Sequence, residues 1–158
     1  MYRKVDDFIK DWENARAGTI KALEAMTDEK LGQAIVEGHN TLGWLGWHIT
    51  GAQQYFAGLL GLTITIPGDV RTVPRDASKI TEAYKATSKE LAEKVNEAFT
   101  DDSLSENVDQ HGTPTPRGEI LRTLIDHQTH HRGQITVLLR QAGLKVPGVM
   151  GPTREDKQ

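Results

Sequence analysis

A chain of 158 residues, 37% hydrophobic and 26% charged, has the make-up of an ordinary globular protein large enough to bury one sizeable core, so a single domain over residues 1–158 is expected. A formal charge of −3 gives no electrostatic reason to expect nucleic acid or an anionic membrane as partner, so small molecules are the expected partners. With no cysteine there is no disulfide, no thiolate ligand and no cysteine nucleophile, so any metal chemistry must rest on His, Asp or Glu.

The opening "MYRKVDDFIKDW" spreads charges through its length and has no apolar core of the kind a secretion signal needs. The most apolar run, "FAGLLGLTITI", is too short to span a bilayer, so a cytoplasmic location is expected. In this first segment Val5, Phe8, Ile9, Trp12, Ala15 and Leu23 recur at steps of three and four, predicting a helix to about Met26 with Gly18 as a modest interior penalty. "TDEK" then reads as a turn. A second helix is predicted from Asn40 as N-cap, with Trp44, Leu45, His48, Ala52, Tyr55, Phe56 and Leu59 along one side until Gly58 and Gly61 weaken it. The link Gly61 to Ala77 is too long for a simple hairpin and can run the length of a helix, which permits parallel second and third helices; its "TITI" is an alternative short strand.

Ile80, Tyr84, Thr87, Leu91, Val95 and Ala98 predict a third helix over 78–99, with Lys and Glu on its other face. After a second long connection, Thr100 to Pro114, the fourth helix carries the clearest boundaries: Thr115 as N-cap, Pro116 in the first turn and Gly143 as C-terminal glycine. Four amphipathic helices without a matching set of strands predict an all-α four-helix bundle.

The fourth helix also holds "DHQTHHRGQ", three of the chain's six histidines within five positions. On a helical wheel His131 lies about 20° and His127 about 60° from Leu124, inside the apolar stripe, whereas His130 falls about 120° away. His127 and His131 are one turn apart, about 6 Å along the axis, and His48 points inward from the second helix. A lone histidine on an apolar face is commonly a packed core residue, but three together leave several buried nitrogens that one shared divalent ion satisfies. Zinc or nickel suits imidazole ligands, while magnesium requires an oxygen shell that is not available.

"HQTHH" matches the histidine positions of the HExxH peptidase signature, but Gln128 stands where the glutamate base is needed. A di-iron bundle is excluded because the inward stripes lack its glutamates. Candidates for substrate contact are Trp44, Tyr55, Gln128 and Arg132, although Trp44, Trp47 and Tyr55 also read as packing residues and Arg132 and Arg140 as solvated. Arg117 and Glu119 at the helix start are expected to be solvated, and His39 and His111 fall in loops. His130, Gly133 and Val137 share the outer face of the fourth helix, with a small residue between two others, and on that basis a homodimer is expected.

"HQTHHRGQ", "GWLGWHIT" and the ending "VPGVMGPTRED" together resemble the DinB superfamily over the whole chain. The resemblance implies an up-down-down-up bundle with a long link between helices two and three. It also implies a metal triad of one histidine from helix two and two, four apart, from the last helix, which here are His48, His127 and His131. Characterised members of that family include metal-dependent transferases of low-molecular-weight thiols, so the resemblance implies a mononuclear metal protein acting on electrophilic small molecules with a thiol cosubstrate. A metal-dependent hydrolase and a non-catalytic, stress-related metal- or ligand-binding bundle are its alternatives.

Overall fold

The computed structural model describes residues 1–157. Four helices dominate it: α1 (Val5–Glu24), α2 (Leu42–Leu59), α3 (Ala77–Ala98) and α4 (Arg117–Gln141). Around the bundle their order is α1, α3, α2, α4, each helix packed on two neighbours. The up-down-down-up direction follows from paired landmarks. Lys85 of α3 bonds Glu24 at the end of α1, so these two run antiparallel. Gly46, early in α2, packs on Ile80, early in α3, so these two run parallel. The backbone N–H of Tyr2 donates to the carbonyl of Gly118 at the start of α4, so α1 and α4 run parallel.

One element departs from the all-α expectation. The connection before α4 folds as a hairpin of β1 (Asn107–Gln110) and β2 (Thr113–Pro116), antiparallel, with Gln110 opposite Thr113. Its two turn residues, His111 and Gly112, both have positive φ (54° and 86°), the geometry of a two-residue hairpin whose twist matches the flanking strands. The strand pair considered as an alternative at "TITI" does not form. That segment instead lies extended against the bundle with Ile64 and Ile66 buried, the Thr65 amide donating to Glu90.

Helix starts differ from expectation in detail. For α2 the N-cap is Thr41, one residue later than Asn40, and its hydroxyl accepts from the Trp44 amide. For α4 Pro116 takes the cap position while Thr115 belongs to β2. α1 lacks a cap from its own neighbour, and Asp101, 96 residues on, accepts its first amide, that of Val5. At the other end of α4, Gly143 adopts positive φ and the amides of Gly143 and Leu144 close back on Arg140 and Leu139, as expected for a C-terminal glycine.

Two apolar clusters fill the bundle. One joins Leu23, Leu45, Ile80 and Leu138; the other joins Phe8, Phe56, Leu91 and Leu121. Between them every helix contributes buried polar side chains: Thr19 from α1, Thr50 and Gln53 from α2, Thr87 and Ser88 from α3, Gln128 and Arg132 from α4. Gly18 is explained by packing rather than by helix propensity, because a Cβ there would sit 2.8 Å from Val149 of the C-terminal tail. No helix among the described residues is long and apolar enough to cross a membrane.

Candidate metal centre

α2 and α4 run antiparallel, so His48 faces one turn of α4 and meets both His127 and His131. The three rings lie with centroids 4.5 to 5.1 Å apart. The Nε2 atoms of His48 and His127 are 3.2 Å apart, and one nitrogen from each ring lies within 4.8 Å of the others. A tetrahedral ion with bonds of roughly 2.0–2.1 Å holds its ligands about 3.3 Å apart. The donor set and its spacing therefore fit one such ion.

The neighbours fix the rings in a ligating pose. Trp44, one turn before His48, stacks on it at 4.6 Å and 9°, and Phe56 meets His127 edge-on at 5.6 Å. His131 donates through Nδ1 to Gln134 Oε1 at 2.7 Å, which leaves the Nε2 lone pair free for an ion. Burial pushes the His127 pKa from 6.5 down to about 4, helped by the charges of His131, His48 and His130. Burial also lowers those of His48 and His131, with His131 acting further on His48. All three imidazoles are consequently neutral at physiological pH, the form that binds metal.

His48 and His127 form the floor of an open cleft of about 540 Å³, walled by Trp47, Gly51, Ala52, Phe56 and, from the α2–α3 link, Val70. Trp47 is buried and holds that link in place by donating to the carbonyl of Asp69. Tyr55 stands at the mouth, 47% exposed rather than inside the apolar stripe, and its hydroxyl lies 2.7 Å from Nε2 of His111 on the hairpin turn. Among the described residues, no Asp or Glu lines the cleft.

Two of the residues considered for substrate contact lie elsewhere. Gln128 is 1% exposed and accepts from the Tyr84 hydroxyl at 2.8 Å, within the polar band. Arg132, expected to be solvated, is 5% exposed and donates to the carbonyl of Ala15 at 2.8 Å. The reason is that α4 packs on both α1 and α2, so its buried arc is wider than its apolar stripe. Arg117 is likewise half-buried, bonded to Glu106 and to the Ser103 carbonyl and lying over the Phe99 ring, whereas Glu119 is exposed. Arg140 is exposed and paired with Glu155. His130 and His39 are exposed and outside the cluster. Sequence reasoning did not single out Gln134, Phe56 or Val70 as site residues. Gln134 was the most accessible of these, three positions after His131 and therefore on the same helical face.

The DinB family model matches residues 1–158. The chain is 39% identical over 156 residues to the uncharacterized protein YrdA of Bacillus subtilis (strain 168), covering 99% of this chain and 93% of that protein. Among solved structures it resembles a DinB-like protein from Bacillus cereus ATCC 10987, with a TM-score of 0.89 and 40% identity over 94% of this chain and 99% of the other. A DinB-like protein of Bacillus subtilis, YjoA, has a TM-score of 0.72 at 16% identity, covering 92% and 99%, a likeness of fold alone.

Proposed function

The chain belongs to the DinB family, and from that premise we propose that it is a mononuclear divalent-metal enzyme that joins a low-molecular-weight thiol to an electrophilic small molecule. The observation that carries this reading is a three-imidazole cluster, two of whose rings floor an apolar cleft with no carboxylate in its lining among the described residues. A divalent ion, zinc or nickel, supplies Lewis acidity that favours loss of a proton from a coordinated thiol or water near neutral pH.

The chain's own residues do the rest. His48, His127 and His131 would hold the ion as neutral ligands and so would not offset its charge. Trp44, Phe56 and Gln134 hold the three rings in place. Trp47, Ala52 and Val70 offer an apolar wall for the electrophile, and Tyr55 with His111 offers a hydrogen-bonding pair at the mouth. The sulfur has to come from a cosubstrate because the chain has no cysteine.

Thiol transfer is favoured over hydrolysis by the missing carboxylate. Metal-assisted hydrolysis ordinarily uses a glutamate to take the proton of the attacking water, whereas a thiol, with a pKa near 8.5, gives up its proton far more readily. The test is incubation of the zinc- or nickel-loaded protein with a panel of small bacterial thiols and a halonitrobenzene. A sulfur–carbon bond forms, halide leaves, and the thiol proton passes to solvent. Metal-dependent thiol consumption, lost on chelation, is expected. Consumption no faster than the uncatalysed reaction with every thiol and metal would overturn the reading, and halide release without thiol would replace it with hydrolysis.

A further inference from the structure

On the side of α4 away from the histidines, the C-terminal tail folds back and leaves a cleft of about 460 Å³ between itself and the helix. Val146, Pro147 and Val149 form its apolar wall, and Arg132 lies at its base. The Arg132 guanidinium is buried, yet no carboxylate pairs with it among the described residues. Its Nη1 donates to two neutral oxygens, the Ala15 carbonyl at 2.8 Å and Thr19 Oγ1 at 3.4 Å. Its Nη2 has only the Met150 thioether at 3.9 Å, a weak acceptor on a side chain that is itself 88% exposed.

A buried cation is costly unless an anion or several good acceptors compensate it. Here the uncompensated end of the fork faces the cleft through a methionine that water already surrounds. The other arginine of this face, Arg140, is held by Glu155 at 2.9 Å, so Arg132 is the cation left available to a ligand. We propose that this cleft binds a small organic anion, a carboxylate or phosphate ester with an apolar body, and that Arg132 is the residue that receives its charge. Displacement of Met150 lets the anion oxygens reach Nη2, while Val146, Pro147 and Val149 cover the body. This site is separate from the histidine centre and its occupancy does not depend on metal.

The test uses the full chain labelled with ¹³C at the methionine methyls, of which there are three. Benzoate and phenyl phosphate are titrated to about 10 mM, the range in which a weak specific site saturates, with benzamide as the neutral control. The Met150 resonance is expected to shift saturably with either anion and not with benzamide, while buried Met26 stays in place. A response to only one of the two anions identifies which class the site takes. Arg132→Gln is expected to weaken the response by about tenfold or more, because a charge-assisted pair becomes a neutral one. Because that variant removes a buried contact to α1, Gly133→Leu provides the second arm. Gly133 lines the cleft, and an added Cβ meets nothing within 4 Å, so a leucine there has room to occupy the cleft and removes no contact of Arg132. Gly133→Leu is expected to fold and to lose the response. No saturable shift in the wild-type chain, an equal shift with benzamide, or an undiminished shift in Gly133→Leu overturns the proposal.

Discussion

Two polar clusters sit side by side on α4, and consecutive residues divide between them. His127 and His131 turn toward α2; Gln128 and Arg132, each one position on, turn toward α1 and α3. On the second side most groups find protein partners: Tyr84 donates to Gln128, and Nη1 of Arg132 donates to Ala15 and Thr19, while its Nη2 is left to the tail cleft. Within this polar band, Gln128 Nε2 and Gln53 Oε1 are buried without a partner among the described residues. On the histidine side the ring nitrogens point chiefly at one another, and only His131 has a partner that orients it. Polar groups satisfied by the fold hold it together, whereas groups that converge without partners are arranged for something from outside.

The largest expected effect breaks the histidine side alone. Alanine at His48, His127 or His131 should each abolish stoichiometric zinc or nickel, measured by metal analysis of untagged, dialysed protein. Alanine at His130, His39 or His111 should leave it intact. Chelation should lower the Tm of wild type but not of the three ligand variants, because the ion stabilises only the chain that binds it. Loss of metal in His130→Ala with retention in His131→Ala would mean the wheel assignment is wrong.

Gln134→Ala should be milder, weakening metal about 10- to 100-fold through loss of the bond that orients His131, as competition with a chromogenic chelator would reveal. Tyr84→Phe breaks the other side. It leaves the Gln128 oxygen buried without its donor and should cost about 1–3 kcal/mol in urea unfolding while leaving metal content unchanged. Equal loss of metal in Tyr84→Phe would show that the two clusters are one unit.

Without metal, stability should depend on pH through the histidine side. The folded His127 takes up a proton only near pH 4, whereas the unfolded chain does so near 6.5. The unfolded state therefore binds more protons below pH 6.5, and stability should fall as the pH drops from 6.5 toward 4. His127→Ala should flatten that slope. Smallest in energetic terms is the expected homodimer through the exposed face of His130, Gly133 and Val137; light scattering showing a monomer at high micromolar concentration contradicts it.

The four helices and the histidine triad were legible because both rest on spacing. Apolar steps of three and four mark the stripes, and a four-residue step aims two imidazoles at one point. Arg132 was misread because it is charged, although the wheel puts it only about 80° from Leu124, inside the arc of a helix that packs on two neighbours. The hairpin was missed for a different reason: its strands carry Pro114 and Pro116 and no apolar alternation, so only the His111–Gly112 turn could have signalled it. The Arg132 cleft depends on a tail that returns to α1, a long-range contact that local spacing does not encode.

The central claim, one ion held by three imidazoles, is tested most directly by X-ray absorption on the zinc-loaded protein. The account predicts three nitrogen scatterers at about 2.0–2.1 Å with the outer-shell pattern of imidazole rings, and oxygen in the remaining coordination. A first shell of oxygen alone, without imidazole scattering, would contradict it.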